Sequence, residues 1–269
     1  GAAPAAAAAA AAPGSASALN KPRALPSPTG AGAGEARLIT TADGAILMSW
    51  LEPRAGSAKT RGVKGATANS GRHALCLASL RGGKWSRVLT VAEGDSFFIN
   101  WADFPTVCAI GEHGLAVAWL WKSGTETYSY QTRLALSSDG GASWTPPIVV
   151  HDDRDGTEHG FVSLVPQGEG VRAVWLDGHN ATPLVQEGMA DMTLHSRFIA
   201  PTGTLGREQE IDDRACDCCQ TAAVAVGADI LVAYRDRDPD EIRDISVLRL
   251  DGGRWSPPTT VREDRWKIL

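Results

Sequence analysis

Four short apolar segments recur along this chain, each ending in an aromatic residue and followed by a polar loop. They are AILMSWLEPR (45–54), LAVAWLWKSG (115–124), VRAVWLDGHN (171–180) and ILVAYRDRDP (230–239). Their aromatic residues, Trp50, Trp119, Trp175 and Tyr234, follow one another at intervals of 56 to 69 residues. A regular interval of this size is typical of repeat architectures, in which each repeat is one supersecondary unit. The chain is therefore expected to contain four copies of one structural unit.

Each unit is expected to contain four strands. A strand-like segment that closes in a Gly or Asp turn precedes each aromatic segment by about ten residues, so the two form a hairpin. A third and a short fourth strand follow, as in YQTRLALS and TPPIVV of the second unit. Four antiparallel strands recurring four times predict an all-β protein, a β-propeller of four-stranded antiparallel blades. We expect these blades at residues 36–92, 100–151, 159–212 and 219–265.

The segment SSDGGASW (137–144) lies at the predicted turn between the third and fourth strands of the second unit. Asp139 is placed to accept hydrogen bonds from turn amides, and the paired glycines permit a positive φ. A phosphate-binding loop would need a following helix and usually a lysine, and the sequence has neither at this point. We therefore expect a structural role for this turn.

The same turn carries a resemblance to a known superfamily. Five residues match the pattern S-x-D-x-G-x-[ST]-W, the Asp box of BNR repeats: Ser137, Asp139, Gly141, Ser143 and Trp144. SLRGGKW (79–85) and RLDGGRW (249–255) are degenerate copies at equivalent places. The chain thus resembles the sialidase-like β-propeller superfamily, of the exported bacterial type, over residues 36–265. The resemblance implies a six-bladed ring, and about four blades are present. We expect the chain to be a fragment truncated at its C-terminus; the alternatives are a ring of fewer blades or one closed by a partner chain.

Residues 1–35 differ in composition from the propeller region, 36–269. They are rich in Ala, Pro, Ser and Gly with few large apolar side chains, so they cannot contribute a core. Such a leader resembles the tether of an exported protein, and we expect a periplasmic or cell-envelope location with a lipid or membrane tether. The alternative is a flexible terminus of a cytosolic protein. The net charge of −5 provides no basic field for nucleic acid, so none is expected as a partner.

Most unusual polar residues fall on one predicted face of the propeller, the polar face. It is formed by the loops that enter the first strand of a blade (100–105, 151–161, 214–221) and those that join the second and third strands (51–73, 121–130, 177–191, 235–244). The candidate ligand-binding residues on it are Trp101, Asp103, Glu158, His159, His179, Arg235 and Arg243. The candidate catalytic residues are Glu158, Asp177, Arg235, Asp236 and Arg237. The structural alternatives are strand capping, turn formation and an Arg/Asp lattice that braces the 235–244 loop.

A cluster of thiols enters the fourth unit. Cys216, Cys218 and Cys219 form the motif CDCC, and two further cysteines make the total an odd number, five. Adjacent cysteines make strained disulfides, whereas clustered thiolates favour copper(I) or zinc. His159 from a neighbouring loop is expected as a further ligand of such an ion. The alternative is a disulfide from one of these cysteines to a distant one.

The resemblance also specifies what an active sialidase would need: three arginines from separate blades, a tyrosine nucleophile paired with a glutamate, and an aspartate acid/base. Here Arg235, Arg237 and Arg243 come from a single loop, and none of Tyr128, Tyr130 and Tyr234 has an evident glutamate partner. We therefore expect a propeller that binds a small molecule, a glycan or a soft metal without classical sialidase activity. The alternatives are a divergent exo-sialidase-type glycoside hydrolase and a propeller that acts only as a scaffold.

Overall fold

The computed structural model describes residues 21–55, 71–153, 156–180 and 192–265. Residues 1–20 of the expected leader, and residues 56–70 and 181–191 of the polar face, lie outside these described residues. In the described ranges every regular element is a β-strand. These ranges contain no helix with the length and hydrophobicity that crossing a membrane requires. The strands are β1 (Gly34–Thr40), β2 (Ile46–Pro53), β3 (His73–Arg81), β4 (Lys84–Trp85), β5 (Leu89–Gly94), β6 (Thr106–Ile110), β7 (Gly114–Lys122), β8 (Tyr130–Ser137), β9 (Ile148–Val149), β10 (His159–Gln167), β11 (Gly170–Asp177), β12 (Met192–Ile199), β13 (Gln209–Ala215), β14 (Ala222–Val226), β15 (Asp229–Arg235), β16 (Ile245–Asp251), β17 (Arg254–Trp255) and β18 (Thr259–Arg262).

These strands form four antiparallel sheets in chain order. The sheets are β1-β2-β3-β4, β6-β7-β8-β9, β10-β11-β12-β13 and β14-β15-β16-β17. In the first and last sheets the outer strand is interrupted, so β5 also pairs with β3 and β18 also pairs with β16. The predicted all-β propeller of four-stranded blades is confirmed.

The hydrophobic core lies between neighbouring blades. One buried cluster joins blade one to blade two, a second joins blade two to blade three, and a third joins blade three to blade four. The first strands are innermost, because β10 contacts both β6 and β14, and β6 also contacts β1. Each blade therefore buries its apolar faces against its neighbours, as expected for sheets stacked around an axis.

The repeated aromatic residues stand at equivalent places in the second strand of each blade. Trp50, Trp119, Trp175 and Tyr234 are all fully buried. In two blades the indole N–H reaches an acidic residue two positions later on the same strand. Trp50 Nε1 donates to Glu52 at 3.1 Å and Trp175 Nε1 donates to Asp177 at 2.7 Å. Trp119 Nε1 is buried without a hydrogen-bond partner among the described residues.

The SSDGGASW turn joins β8 to β9, as predicted. Asp139 Oδ1 accepts hydrogen bonds from Ser143 N at 2.9 Å and Ser137 Oγ at 2.8 Å, and its Oδ2 accepts one from Ser143 Oγ at 2.6 Å. These hydrogen bonds lower the pKa of Asp139 to about 2. Gly141 has a φ of 89°, and Trp144 packs against it and the neighbouring hydrophobic cluster. The carboxylate is thus occupied in holding the turn.

Candidate functional site

Antiparallel pairing brings the candidate residues of the polar face to one edge of the sheets. First strands begin at this edge and second strands end at it, so His159 at the start of β10 pairs with Asp177 at the end of β11. Ala215, the last residue of β13, likewise bridges Asp236, which follows β15. A cleft of about 980 Å³ lies on the opposite face, among the turns of the first hairpins. The polar face is distinguished instead by its clustered side chains.

The first cluster contains a tyrosine and two carboxyl groups. Tyr130 Oη donates a hydrogen bond to Glu158 Oε1 at 2.6 Å, although the two residues are 28 positions apart. Phe98 stacks on the Tyr130 ring with centroids 4.1 Å apart. The expectation that Tyr130 lacks a glutamate partner was wrong, because the partner is supplied by the entry loop of the next blade.

Asp103 completes this cluster. Its Oδ2 accepts a 2.6 Å hydrogen bond from Phe161 N, while its buried Oδ1 has no partner among the described residues. A Cβ added at Gly160 would overlap Asp103 Oδ2 and lie 2.9 Å from Tyr130 Oη. Only a glycine lets the backbone approach these groups so closely. Phe161 has a φ of 53° at a bulge in β10, a strained geometry that recurs next to functional sites.

Burial sets the protonation of this cluster. Desolvation raises the pKa of Asp103 to about 7; the Phe161 N–H and Arg37 oppose this increase, and the Glu158 charge adds to it. Desolvation also raises the pKa of Glu158 to about 7, with the Tyr130 hydrogen bond opposing and the Asp217 charge adding. Burial and the neighbouring carboxylates raise the pKa of Tyr130 well above its ordinary value. Tyr130 is thus held as a neutral, solvent-shielded phenol.

The second cluster surrounds Asp177, which is fully buried. Its Oδ1 accepts a hydrogen bond from His179 N at 3.0 Å and lies 2.8 Å from His179 Nδ1. His159 Nε2 is 3.5 Å from the same oxygen, and His195 Nδ1 is 3.9 Å from Oδ2. His195 also lies 2.8 Å from Glu208 Oε1. Sequence reasoning missed His195 and Glu208, because both lie inside blade three strands or turns rather than in the loops of the polar face.

The third cluster is the thiol loop, residues 216–219. The sulfur atoms of Cys216 and Cys218 are 3.3 Å apart, those of Cys218 and Cys219 3.6 Å, and those of Cys216 and Cys219 3.9 Å. All three are free thiols in this structure. His159 does not join them; it lies with Asp153 and Asp177 instead. The three sulfur atoms converge without the expected histidine.

One of the three thiols in this loop, that of Cys216, has a lowered pKa. Hydrogen bonds with the Cys219 thiol, with the Cys218 backbone N–H and thiol, and with Arg243 lower the pKa of Cys216 to about 5, against the effect of burial. The pKa of Cys219 is raised, first by its hydrogen bond with Cys216 and then by burial. Arg243 Nη1 lies 3.4 Å from Cys216 Sγ and 3.3 Å from Asp217 Oδ1. One thiolate beside a guanidinium is thus favoured at neutral pH.

Hydrogen bonds to the neighbouring strands hold the thiol loop in place. Cys216 N donates to Arg235 O at 2.9 Å, which ties the loop to the end of β15. Gln220 Nε2 donates to Val162 O at 3.1 Å, and Thr221 Oγ1 donates to Phe161 O at 2.7 Å. The loop is therefore preorganised against the first strand of blade three.

The 235–244 loop is braced largely by its own charges. Arg237 is buried and forms a bidentate ion pair with Glu241, in which its Nε lies 3.0 Å from Oε2 and its Nη2 lies 2.8 Å from Oε1. Asp236 accepts hydrogen bonds from Arg237 N and Ser246 Oγ. These contacts favour the bracing alternative for Arg237 and Asp236. Arg243 instead connects this brace to the thiol loop.

Trp101 occupies a different environment from the other candidates. It is 85% exposed, in a short turn closed by the Ala102 N to Asn100 Oδ1 hydrogen bond, two residues before Asp103. An exposed indole offers a flat apolar surface for a ligand. His179, by contrast, is half-buried against Asp177.

Comparisons with known proteins identify the fold. No family model and no curated protein matches the chain. Among solved structures, a protein of unknown function from Dyadobacter fermentans aligns with a TM-score of 0.54 and 11% identity, over 85% of this chain and 68% of that one. The NanB sialidase from Streptococcus pneumoniae aligns at 0.54 and 8%, over 87% and 49%. The α-L-arabinofuranosidase from Lactobacillus brevis aligns at 0.51 and 11%, over 84% and 71%.

These neighbours include glycoside hydrolases built on β-propellers. At such low identities the likeness shows the fold alone. The chain spans about half the length of the NanB structure.

Proposed function

We propose that this chain is an exported, sialidase-like propeller whose polar face binds a soft metal ion through Cys216, Cys218 and Cys219, without classical sialidase activity. The observation that carries the proposal is the convergence of three thiol sulfurs within 3.9 Å of one another. Thiolates select copper(I) or zinc over harder cations. The composition of residues 1–35 supports the exported location.

The spacing of the sulfur atoms fits one shared ion. With metal–sulfur bonds of about 2.3 Å, sulfurs around a tetrahedral or trigonal centre stand about 3.8–4.0 Å apart. The observed separations of 3.3 to 3.9 Å need only a small outward adjustment. A disulfide would require two of these sulfurs to approach to about 2.05 Å. The thiol loop of this structure therefore fits a bound ion better than a disulfide.

The surrounding charges support the same proposal. Cys216 has a pKa of about 5, so one ligand is ionised before a metal arrives. Arg243 offsets part of the negative charge that two further thiolates would bring. Asp217 and Glu241 in turn hold the guanidinium in place.

The test is a copper(I) titration of the reduced full chain under anoxic conditions, in competition with a chromophoric chelator. We expect one equivalent to bind, with ultraviolet absorption from thiolate-to-copper charge transfer. The C216S/C218S/C219S variant should lose both signals. A matched C76S/C108S variant should keep them, since Cys76 and Cys108 are buried within blade strands. Equal binding by the wild type and the triple variant, with both folded by circular dichroism, would refute the thiol site.

A second candidate function is glycoside hydrolysis, the divergent sialidase-type alternative. The Tyr130–Glu158 hydrogen bond favours it, because a tyrosine paired with a glutamate, with an aspartate such as Asp103 nearby, is what the sialidase resemblance implies. Solved neighbours with sialidase and arabinofuranosidase activity in their names support a glycan as the ligand. The burial of Tyr130 opposes it, because a shielded phenol of raised pKa is a poor nucleophile.

Fluorogenic sialosides and arabinofuranosides separate the two functions. We expect no release of the fluorophore above the rate of the E158Q variant. Hydrolysis by the wild type that E158Q abolishes, at equal folded fraction, would replace the non-catalytic proposal with the enzymatic one. Binding of a sugar without its hydrolysis, weakened by W101A, would leave the propeller as a glycan-binding protein.

A further inference from the structure

The His159 imidazole faces two carboxylates without forming a hydrogen bond to either. Its Nε2 lies 3.3 Å from Asp153 Oδ2 and 3.5 Å from Asp177 Oδ1, and it is buried without a hydrogen-bond partner among the described residues. The His159 and Asp177 side chains are each about 1% exposed. A nitrogen and two carboxylate oxygens thus surround one buried point.

The other side of the ring determines which nitrogen carries the proton. His159 Nδ1 lies 3.1 Å from Thr157 O and 3.4 Å from Tyr130 O, and both atoms are carbonyl oxygens that can only accept. In a neutral ring, Nδ1 is therefore the nitrogen that carries the proton. The Nε2 lone pair then points at two negatively charged groups, an arrangement that a cation between them would stabilise.

A doubly protonated ring is the competing explanation for the two nearby carboxylates. His151 stacks face to face on His159, with ring centroids 3.5 Å apart and planes inclined by 4°. Two imidazolium rings at this distance would repel each other strongly in a buried environment. The two rings are therefore not charged together, and an ion at His159 Nε2 requires the neutral form of this ring.

We propose that Asp153, His159 and Asp177 form a divalent-metal site, with Zn²⁺ as the ion that their nitrogen and oxygen atoms suit. With zinc–ligand bonds of about 2.0–2.1 Å, neighbouring ligands of a tetrahedral ion stand about 3.3–3.4 Å apart. The distances from His159 Nε2 to the two carboxylate oxygens, 3.3 and 3.5 Å, agree with this spacing. The oxygens of Asp153 and Asp177 lie within 4.8 Å of each other. Three protein ligands leave a fourth position for water or for a ligand atom.

Outer hydrogen bonds orient each of the three ligands, as at established metal sites. Thr157 O accepts from His159 Nδ1, and Thr157 Oγ1 donates to Asp153 Oδ2 at 2.9 Å. Trp175 Nε1 and His179 N donate to the two oxygens of Asp177. The site lies on the polar face but shares no ligand with the thiol loop, so it does not depend on the proposed function.

The experiment uses the full-length C216S/C218S/C219S variant, so that thiolates cannot compete for the ion. We expect it to bind one equivalent of Zn²⁺ in a chelator competition and to melt at a higher temperature when zinc is added. Replacement by Co²⁺ should give a visible spectrum without sulfur charge transfer. H159Q in this background should weaken Zn²⁺ binding by at least about 100-fold, more than the loss of an outer partner.

Two further variants keep the proposal falsifiable. H113Q, which alters an exposed histidine in the β6–β7 turn, should bind Zn²⁺ as tightly as its parent. D153N replaces a proposed ligand by a side chain of nearly the same shape and should also weaken zinc binding. It provides the test if H159Q does not fold. The proposal is overturned if H159Q and D153N keep the parent's affinity. It is overturned equally if the parent binds no zinc and nitrogen NMR shows His159 protonated at both ring nitrogens.

Discussion

At the scale of single residues, the indole N–H groups of the repeated tryptophans show how one position serves two purposes. Trp175 fills the core between blades two and three and also donates to the buried carboxylate of Asp177. Trp119 fills the equivalent place one blade earlier, where position 121 is a tryptophan and offers no acceptor. The tryptophan therefore fills the same place in both blades, whereas the hydrogen bond of its indole N–H depends on the residue two positions later.

Substituting each tryptophan by phenylalanine should separate these purposes. Both changes remove the same atoms, but only W175F leaves a buried carboxylate oxygen without its donor. We expect W175F to lower the free energy of unfolding by about 1–3 kcal/mol more than W119F, measured by urea denaturation. Equal losses in the two variants would mean that the Trp175–Asp177 hydrogen bond contributes nothing net to stability.

The protonation of Glu158 should make stability depend on pH. Its folded pKa, about 7, is above the ordinary value of 4.5, so its contribution is present below pH 4.5 and is lost as pH rises through 7. We expect the wild type to lose on the order of 2–3 kcal/mol from this group between pH 5 and 8. E158Q should show a flatter profile over the same range in urea denaturation. A profile as steep as that of the wild type would place the titration elsewhere, with Asp103 the first group to examine.

At the scale of elements, β1 and β10 share an irregularity at the edge where they begin. Each has a bulge, and each places a residue other than glycine at positive φ, Glu35 at 53° and Phe161 at 53°. A bulge bends the strand and changes the direction of its side chains. In β10 this bend directs Phe161 N at Asp103 and lets Gly160 lie against Tyr130.

The close approach at Gly160 can be tested against a matched glycine at the start of β1. A methyl group at Gly160 would overlap Asp103 and Tyr130, whereas one at Gly34 would meet no atom within 4 Å. We expect G160A to lower the free energy of unfolding by about 1–3 kcal/mol and G34A to change it little. Similar thermal melting of G160A and the wild type would show that the cluster can rearrange around the added group.

At the scale of the whole molecule, the three largest hydrophobic clusters each span two neighbouring blades. The cluster around Leu134 of blade two also contains Val162, Val171 and Trp175 of blade three. A single sheet of this kind has no closed core of its own, so neighbouring blades must fold together. The same arrangement carries the polar face, because its clusters combine loops from consecutive blades.

A cavity introduced in one blade should therefore loosen the next. L134A removes a fully buried side chain and is expected to cost about 2–5 kcal/mol. Hydrogen exchange should accelerate in β8, which carries the substitution, and also in β10 and β11 of blade three. Faster exchange confined to blade two would contradict a core shared between the blades.

Patterns in the amino-acid sequence were enough to predict the strands, the blades and the structural turn. The strand-like segments and the SSDGGASW pattern are local and depend on residues a few positions apart. The recurrence of the aromatic segments at intervals of 56 to 69 residues predicts the blades. The sequence also placed Asp103, Glu158, Asp177 and the three thiols on one expected face.

Contacts between these side chains depend on how the strands and loops pack in three dimensions. Tyr130 with Glu158, Arg243 with Cys216, and His159 with Asp153 and Asp177 are pairs whose contacts depend on strand register and on a bulge. A shift of one residue in register would turn every side chain of a strand to its opposite face. Such contacts join residues from different strands and loops, so no local pattern in the sequence could specify them.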